Sequence, residues 1–193
     1  MKEIRLQVEK LSEENFDNFI ILLMRGRGLD KTRYPDITIL DRLKEDAFSK
    51  HPKYEAYLGQ IGPDWVAYVI ITRSYSTFLA LPGLSIDDIY VLDDFRELGI
   101  GAAMFEFCIR KAKQRGCGKV DLGVPNRNKK AKKFFEFNGA VPIDLTRYHI
   151  DLTETRIGKP RGKMTYADFI RKKRANKLSR LNSRVNNDHQ LFS

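Results

Sequence analysis

The stretch that decides the fold covers residues 84–116 and reads LSIDDIYVLDDFRELGIGAAMFEFCIRKAKQRG. It predicts a strand that ends at Leu92, a short acidic turn, a loop with two glycines, and then a helix over residues 99–115. Gly99 and Gly101 allow the backbone to approach a ligand closely. The N–H groups of the loop and the positive end of the helix dipole would point to one place, which suits a pyrophosphate.

Two other phosphate-binding motifs do not fit this loop. The dinucleotide fingerprint requires a third glycine within a βαβ unit, whereas the strands upstream are predicted to form antiparallel hairpins. The P-loop requires Gly-Lys-Ser/Thr, which does not follow here. The two-glycine loop alone does not identify the ligand, so its identification depends on the neighbouring residues.

The flanking sequence predicts alternating helices and strands. Gly116 is expected to cap the helix that the loop begins. Predicted helices cover residues 12–26, 36–49 and 128–138; predicted strands cover residues 3–8, 54–60, 65–74, 85–92 and 119–124, with two more in 141–152; turns are predicted at Gly62-Pro63-Asp64 and Pro82-Gly83.

Two motifs resemble those of the GNAT superfamily of N-acetyltransferases. Arg96-x-x-Gly99-x-Gly101 resembles the Arg/Gln-x-x-Gly-x-Gly/Ala acyl-CoA motif of that family. Asn128-x-x-Ala131-x-x-Phe134-Phe135-x-x-x-Gly139-Ala140 resembles its Asn-x-x-Ala-x-x-Phe-Tyr-x-x-x-Gly-Phe/Ala helix. Residues 75–77 and 86–91 are most similar to the diamine (spermidine/spermine) acetyltransferases. The resemblance follows the order of elements over residues 1–152 and is specific over 86–140.

The resemblance implies a mixed α/β fold with a central, mostly antiparallel sheet, which splays between the fourth and fifth strands and has helices on both faces. Acetyl-CoA would bind in the splay. Main-chain groups of Ile89 and Val91 would pair with the pantetheine arm, which Asn128 would also bind. The remaining expected contacts to the co-substrate are Arg96, Glu97, Leu98, Gly99, Ile100, Gly101 and Ala102 at the pyrophosphate, with Ala131 and Phe135 on the following helix. Nearby lysines either meet the nucleotide phosphates or form a solvated face.

The resemblance also implies direct attack of an amine on the thioester in a ternary complex, with a carboxylate as base. Asp87 stands where the diamine enzymes have a Glu and is the expected base; its alternative role is an exposed strand residue or salt-bridge partner. In a regular strand Asp88 would point to the opposite face.

Phe135 stands where many relatives have a Tyr that protonates the leaving thiolate. The thiolate would then leave unassisted or through water, or Tyr90 or Tyr148 would supply the proton. A further alternative is a domain that binds acyl-CoA without efficient turnover.

The net charge of +10 is divided unevenly along the chain. Residues 1–97 carry a net −4, residues 98–152 carry +6, and residues 153–193 carry +8. An acidic first half predicts a cationic ligand there and an anionic ligand on the basic second half. We expect residues 1–155 to form the acetyltransferase domain and residues 156–193 to form a linker and a basic helical extension.

Three functions remain open at this stage. A small amine or polyamine would be attracted by the aspartates of residues 87–94. A protein or peptide amine would leave the same marks on the sequence. A nucleic-acid-binding or ribosome-associated module would use the cations of residues 171–184.

Other features of the sequence predict the location, oligomeric state and metal content of the protein. A cytoplasmic location is expected, because no apolar stretch suits a membrane span and the N-terminus lacks a secretory core. The resemblance implies a homodimer, because small acetyltransferases of this type often pair and the apolar stripe of the C-terminal extension would need a surface to cover it. Cys108 and Cys117 are interpreted as structural residues. No Cys/His group has the spacing of zinc ligands, so no metal is expected.

Overall fold

The computed structural model describes residues 5–27 and 37–148. These residues cover most of the first of two compact units, Met1–Pro142, and the beginning of the second, Ile143–Ser193. The helices are Phe16–Gly26 (α1), Ile37–Phe48 (α2), Ile100–Gln114 (α3) and Lys129–Phe137 (α4). The strands are Gln7–Lys10 (β1), Glu55–Ile61 (β2), Asp64–Ser76 (β3), Leu81–Val91 (β4) and Lys119–Leu122 (β5).

The five strands form one mixed sheet in the order β1-β2-β3-β4-β5. All neighbours are antiparallel except β4 and β5, which are parallel. The paired residues of β4 and β5 end at Ile86 and Leu122, whereas β4 continues to Val91. The second half of β4 therefore has β3 on one side and an opening on the other. The predicted mixed, mostly antiparallel α/β fold is confirmed.

Each face of the sheet is covered by two helices. On one face, Met104 and Cys108 of α3 and Phe135 of α4 pack against Ile86 of β4; we call this the α3 face. On the other, the apolar stripe of α1 packs against Tyr68 of β3, with α2 alongside; we call this the α1 face. Since strand side chains alternate in direction, β4 contributes to both faces.

The turn predicted at Pro82-Gly83 is wrong. Both residues lie inside β4, and Pro82 is paired with Tyr75 of β3. The chain reverses instead at residues 77–80, where Ala80 adopts a φ of 51°. Pro82 has no N–H to donate, and β3 requires none from it, because the carbonyl of Pro82 points away from β3 and accepts from Gly118 N–H at 2.9 Å.

Two predicted strand positions also differ from the structure. The first strand, predicted over residues 3–8, is Gln7–Lys10, and residues 1–4 lie outside the described part. Residues 141–148, predicted to begin two further strands, form neither helix nor strand. Val141, Ile143 and Leu145 alternate as in a half-buried strand but are exposed, because no described strand pairs with them. Residues 149–152 and the predicted basic helix lie outside the described residues, and the division at residue 155 stays a prediction.

Candidate active site

A β-bulge interrupts β4 at Asp87. Ile86 pairs with Ile71 of β3 and Asp88 pairs with Ile70, which leaves Asp87 without a partner. A bulge of this kind places two residues of one strand opposite one residue of the other. The side chains before and after Asp87 keep the regular alternation between the two faces. Asp87 is therefore one additional residue in an otherwise regular strand.

The bulge brings two carboxylates to the α1 face. Thr72 Oγ1 and Ser85 Oγ each lie 3.3 Å from Asp87 Oδ1, and Tyr68 OH donates to Asp88 Oδ2 at 2.7 Å. Tyr68 and Thr72 are four residues apart on β3 and so lie on the same face. Asp88 was expected to point away from Asp87 in a regular strand, and the bulge means that this condition is not met.

The two carboxylates have different surroundings. Tyr68 is fully buried, and burial, together with Asp88, raises the pKa of its hydroxyl. Tyr68 therefore stays protonated and remains a donor to Asp88. Asp87 is exposed, and its two hydroxyl contacts are long. Asp87 consequently keeps lone pairs that face solvent and can accept a proton from a ligand.

Tyr90 lies beside this pair on the α1 face. Its ring centroid is 5.9 Å from that of Tyr68, and its hydroxyl lies 3.4 Å from Asp93 Oδ1. Burial, and then Asp93, raise the pKa of Tyr90, so that it too is protonated at neutral pH.

The end of α1 closes over both tyrosines, a feature that the sequence did not predict. A Cβ atom at Gly26 would lie 2.6 Å from Tyr68 OH and 3.1 Å from Tyr90 Cγ. Glycine is thus required for this approach, and it places its neighbours Arg25 and Arg27 at the edge of the site. The available signal was the Arg-Gly-Arg sequence at a helix end, which in isolation predicts only a helix terminus.

The loop before α3 has an unusual backbone. Glu97 has a φ of 65° and Gly99 a φ of 79°, both in the left-handed region. Residues of alternating hand turn successive N–H groups toward one point. Within the described ranges, the N–H groups of residues 97–102 have no protein acceptor. Six free donors at a helix N-terminus fit the pyrophosphate that the sequence predicts at Glu97, Leu98, Gly99, Ile100, Gly101 and Ala102.

Arg96 is engaged elsewhere. Its Nε donates to Val91 O at 3.1 Å, its terminal nitrogen lies 2.6 Å from Asp93 Oδ1, and its guanidinium carbon is 5.5 Å from the Tyr90 ring centroid. In this conformation the side chain does not extend into the loop, and the donors there are main-chain groups.

Glu97 is drawn toward α4 by Lys130 Nζ at 3.2 Å, and both side chains are more than four-fifths exposed. Its charge is thus partly balanced next to the free N–H groups.

Ile89 and Val91 present main-chain groups to the opening beside β4. Leu92 N–H donates to Val66 O of β3 at 2.8 Å. In an antiparallel ladder these groups alternate in direction, so those of Ile89 and Val91 point away from β3. Val91 O accepts from Arg96 Nε in this conformation, so the groups that stay open to the predicted pantetheine arm are those of Ile89 and the N–H of Val91.

The three predicted residues of α4 have mainly structural contacts. Asn128 caps the helix, since its Oδ1 accepts from Ala131 N–H at 3.0 Å; its amide nitrogen has no acceptor in the described part of the chain. Phe135 is buried, 5.4 Å from the Phe105 ring and 5.0 Å from the Phe134 ring. Tyr148, the other predicted proton donor, is 89% exposed and belongs to the second unit.

The described residues do not meet the requirements of a metal centre or of a membrane span. Among them, no group of three His, Cys, Asp or Glu side chains could hold a metal ion, and no helix is long and apolar enough to cross a bilayer. Cys108 is fully buried, and burial raises the pKa of its thiol to about 12, in keeping with a structural role.

Known proteins resemble this chain in sequence. Residues 21–140 match the model of the acetyltransferase (GNAT) family. Thialysine N-epsilon-acetyltransferase of Bos taurus is 31% identical over 114 residues, which cover 55% of this chain and 65% of that protein. L-ornithine N5-acetyltransferase NATA1 of Arabidopsis thaliana is 31% identical over 109 residues, covering 55% and 48%. The matched part thus spans less than two thirds of either relative.

Solved structures share the fold. Ribosomal-protein-alanine N-acetyltransferase from Brucella melitensis biovar Abortus 2308 has a TM-score of 0.61 and 23% identity, covering 76% of this chain and 99% of that one. Aminoglycoside N-acetyltransferase AAC(6')-Iy in complex with CoA has a TM-score of 0.65 and 12% identity, covering 78% and 97%.

Proposed function

The chain belongs to the acetyltransferase (GNAT) family, and we propose that it transfers the acetyl group of acetyl-CoA to a primary amine of a small cationic acceptor. One observation carries the proposal: free N–H donors precede α3, and a carboxylate pair lies on the α1 face of the strand that leads to them. A phosphate-bearing acyl donor and an amine can therefore meet at β4.

On the donor side, residues 97–102 would bind the pyrophosphate through their N–H groups. The outward main-chain groups of Ile89 and the N–H of Val91 would pair with the pantetheine amides, and Val91 O could join them only if it exchanged its bond to Arg96 Nε. The amide nitrogen of Asn128 would donate a further hydrogen bond. Bound acetyl-CoA supplies the thioester, and these residues fix its position.

On the acceptor side, an amine must lose its proton before it can attack. Asp87 would take this proton, directly or through a water, because it is exposed and only weakly engaged. Asp88, held by Tyr68, would keep a second negative charge beside the amine. Attack forms the C–N bond and breaks the C–S bond. Since Phe135 has no proton to give, the thiolate would leave through water or take a proton from Tyr90.

The acceptor we propose is a small molecule with a basic side chain. The printed names of the curated relatives refer to the Nε amine of thialysine and the N5 amine of ornithine, which are side-chain amines of this kind. The homodimer, the cytoplasmic location and a nucleic-acid role for the basic tail stay predictions.

A thiol-release assay tests the proposal. Purified protein is supplied with acetyl-CoA and separately with basic amino acids, diamines, polyamines, aminoglycosides and peptides with a free N-terminus. We expect saturable release of CoA with one of the first three classes and a matching acetylated product by mass spectrometry. Turnover with peptides alone would contradict the small-molecule acceptor. Binding of acetyl-CoA without turnover of any amine would contradict the enzyme.

A further inference from the structure

Two cations at the end of α1 have no partner among the described residues. Arg25 and Arg27 flank Gly26 and are exposed, and no described side chain forms an ion pair or hydrogen bond with either guanidinium. The close approach of Gly26 to Tyr68 and Tyr90 fixes their position. Nothing within residues 5–27 and 37–148 neutralises these two cations.

Both cations act on the same tyrosines that border the carboxylate pair. Burial and Asp88 raise the pKa of Tyr68, and Arg27 opposes this rise. Burial and Asp93 raise the pKa of Tyr90, and Arg25 is among the cations that oppose it. Arg27 is therefore near enough to Tyr68, and Arg25 near enough to Tyr90, to act on these two hydroxyls.

A groove of about 410 Å³ adjoins Arg25 on the α1 face. Its size is within the range of small-molecule sites, about 300–1,000 Å³. One wall is apolar, formed by Trp65, Leu92 and Phe95, and Arg25 and Asp64 supply charges at the edge. Asp87, Asp88, Tyr90 and Arg27 do not line this groove, so it opens the surface beside Arg25 and leaves that guanidinium accessible from one side.

The charges discriminate between two kinds of amine. A diamine or polyamine carries positive charge at both ends, so the guanidinium groups of Arg25 and Arg27 would repel the end that does not react. A basic amino acid carries a carboxylate as well, and a guanidinium binds a carboxylate with two parallel hydrogen bonds.

We propose that Arg25 and Arg27 bind a carboxylate of the acceptor, which is therefore a basic amino acid and not a polyamine. The inference rests on the proposed function. The side-chain amine would lie at Asp87 and Asp88, the aliphatic chain would cross Tyr90, and the carboxylate would reach the arginines. Arg25 and Arg27 are thus specificity-determining residues that take no part in proton transfer.

Matched substrates test the proposal. L-lysine and 1,5-diaminopentane differ by one carboxylate, as do L-ornithine and 1,4-diaminobutane. With wild type we expect kcat/KM for the amino acid to exceed that for the diamine by at least about 10-fold. In the double variant Arg25→Gln/Arg27→Gln, we expect kcat/KM for the amino acid to fall about 30-fold, because a charge-assisted contact is lost. For the diamine, kcat/KM should stay level or rise.

Arg73→Gln is the matched control, because Arg73 is 87% exposed and lies near Glu55, away from the carboxylate pair. It should leave both substrates unchanged. Equal use of amino acid and diamine by wild type, or a parallel loss of both in the double variant, would overturn the inference.

Binding separates this inference from the proposed function. The four compounds are titrated by calorimetry into protein saturated with CoA. If no compound turns over, but amino acids bind and the double variant loses that binding, the enzyme proposal fails and the carboxylate subsite stands. If amino acids and diamines bind alike, or neither binds, the subsite is overturned.

Discussion

The donor side and the acceptor side of β4 are proposed to recognise their ligands by different means. On the donor side, at the open edge of β4, recognition is proposed to rest on main-chain groups: the N–H groups of residues 97–102, the outward groups of Ile89 and the N–H of Val91. Toward α1, it is proposed to rest on side chains that come from three elements: Asp87 and Asp88 of β4, Tyr68 of β3 and Arg25 of α1. A site formed by main-chain groups depends on the conformation of the backbone, whereas a site formed by side chains depends on the identity of its residues. The two sites should therefore respond to different substitutions.

The largest effect should follow from Gly99→Glu on the donor side. The substitution forces a non-glycine residue to a φ of 79° and adds a negative charge where the pyrophosphate is proposed to bind. We expect the affinity for acetyl-CoA, measured by calorimetry, to fall about 100-fold or more as the favourable field of the helix end is cancelled.

Gly116→Glu is the control at the other end of α3. Gly116 has a φ of 66° and open space around it, so the substitution carries a similar strain of about 1–2 kcal/mol without touching the loop. If both variants lose acetyl-CoA equally, the donor site is not where we place it.

The next effect should come from Asp87→Asn on the acceptor side. Removal of a general base lowers kcat by about 10²–10⁴-fold, and we expect about 100-fold here with unchanged affinity for acetyl-CoA. Asp88→Asn should cost less, because Asp88 already accepts a hydrogen bond from Tyr68. Steady-state kinetics on both variants decides; a larger loss for Asp88→Asn would exchange their roles.

Tyr68→Phe should have an intermediate effect. It removes the donor that holds Asp88, so we expect kcat/KM for the acceptor to fall about 10-fold and the free energy of unfolding to fall by about 1–2 kcal/mol. Tyr57→Phe is matched, since Tyr57 is also buried and donates to a carboxylate, Glu55, at 2.8 Å. Denaturant unfolding should show similar losses, but kinetics should change for Tyr68→Phe alone. Loss of activity in both would indicate a general effect of destabilisation.

The smallest kinetic effect should be that of Phe135→Leu. Phe135 packs between Phe105 and Phe134 and has no polar group. We expect kcat to stay within about 3-fold of wild type, while the free energy of unfolding falls by about 1–2 kcal/mol as the core loses contacts. Phe137→Leu, at a position 92% exposed, should leave stability unchanged. A large fall in kcat for Phe135→Leu would place this residue at the thioester.

The contrast between main-chain and side-chain groups explains why the loop before α3 could be predicted from the sequence. The helix predicted over residues 99–115 is Ile100–Gln114, because Gly99 and Gly116 adopt positive φ at its two ends and mark both in the sequence. A main-chain site leaves its record in glycine spacing, so the loop could be located from the sequence alone.

On the acceptor side, the resemblance pointed to Asp87 and Tyr90, but the arrangement around them could not be predicted. The bulge at Asp87 depends on the pairing of β3 with β4, which no local pattern reveals. The approach of Gly26 to Tyr68 joins residues that are 42 positions apart in the numbering. The alternation of residues 141–145 did predict a strand, but alternation needs a neighbouring strand to become one.

The bulge also bears on how such a chain can change over time. Because Asp87 is unpaired while Ile86 and Asp88 keep partners on β3, deletion of its single codon would leave the order of inward and outward side chains along β4 intact. The proposed base could thus be gained or lost by a one-residue insertion or deletion, with the fold and the donor site preserved. Among related genes, an inactive copy that still binds acetyl-CoA is therefore one mutational step away.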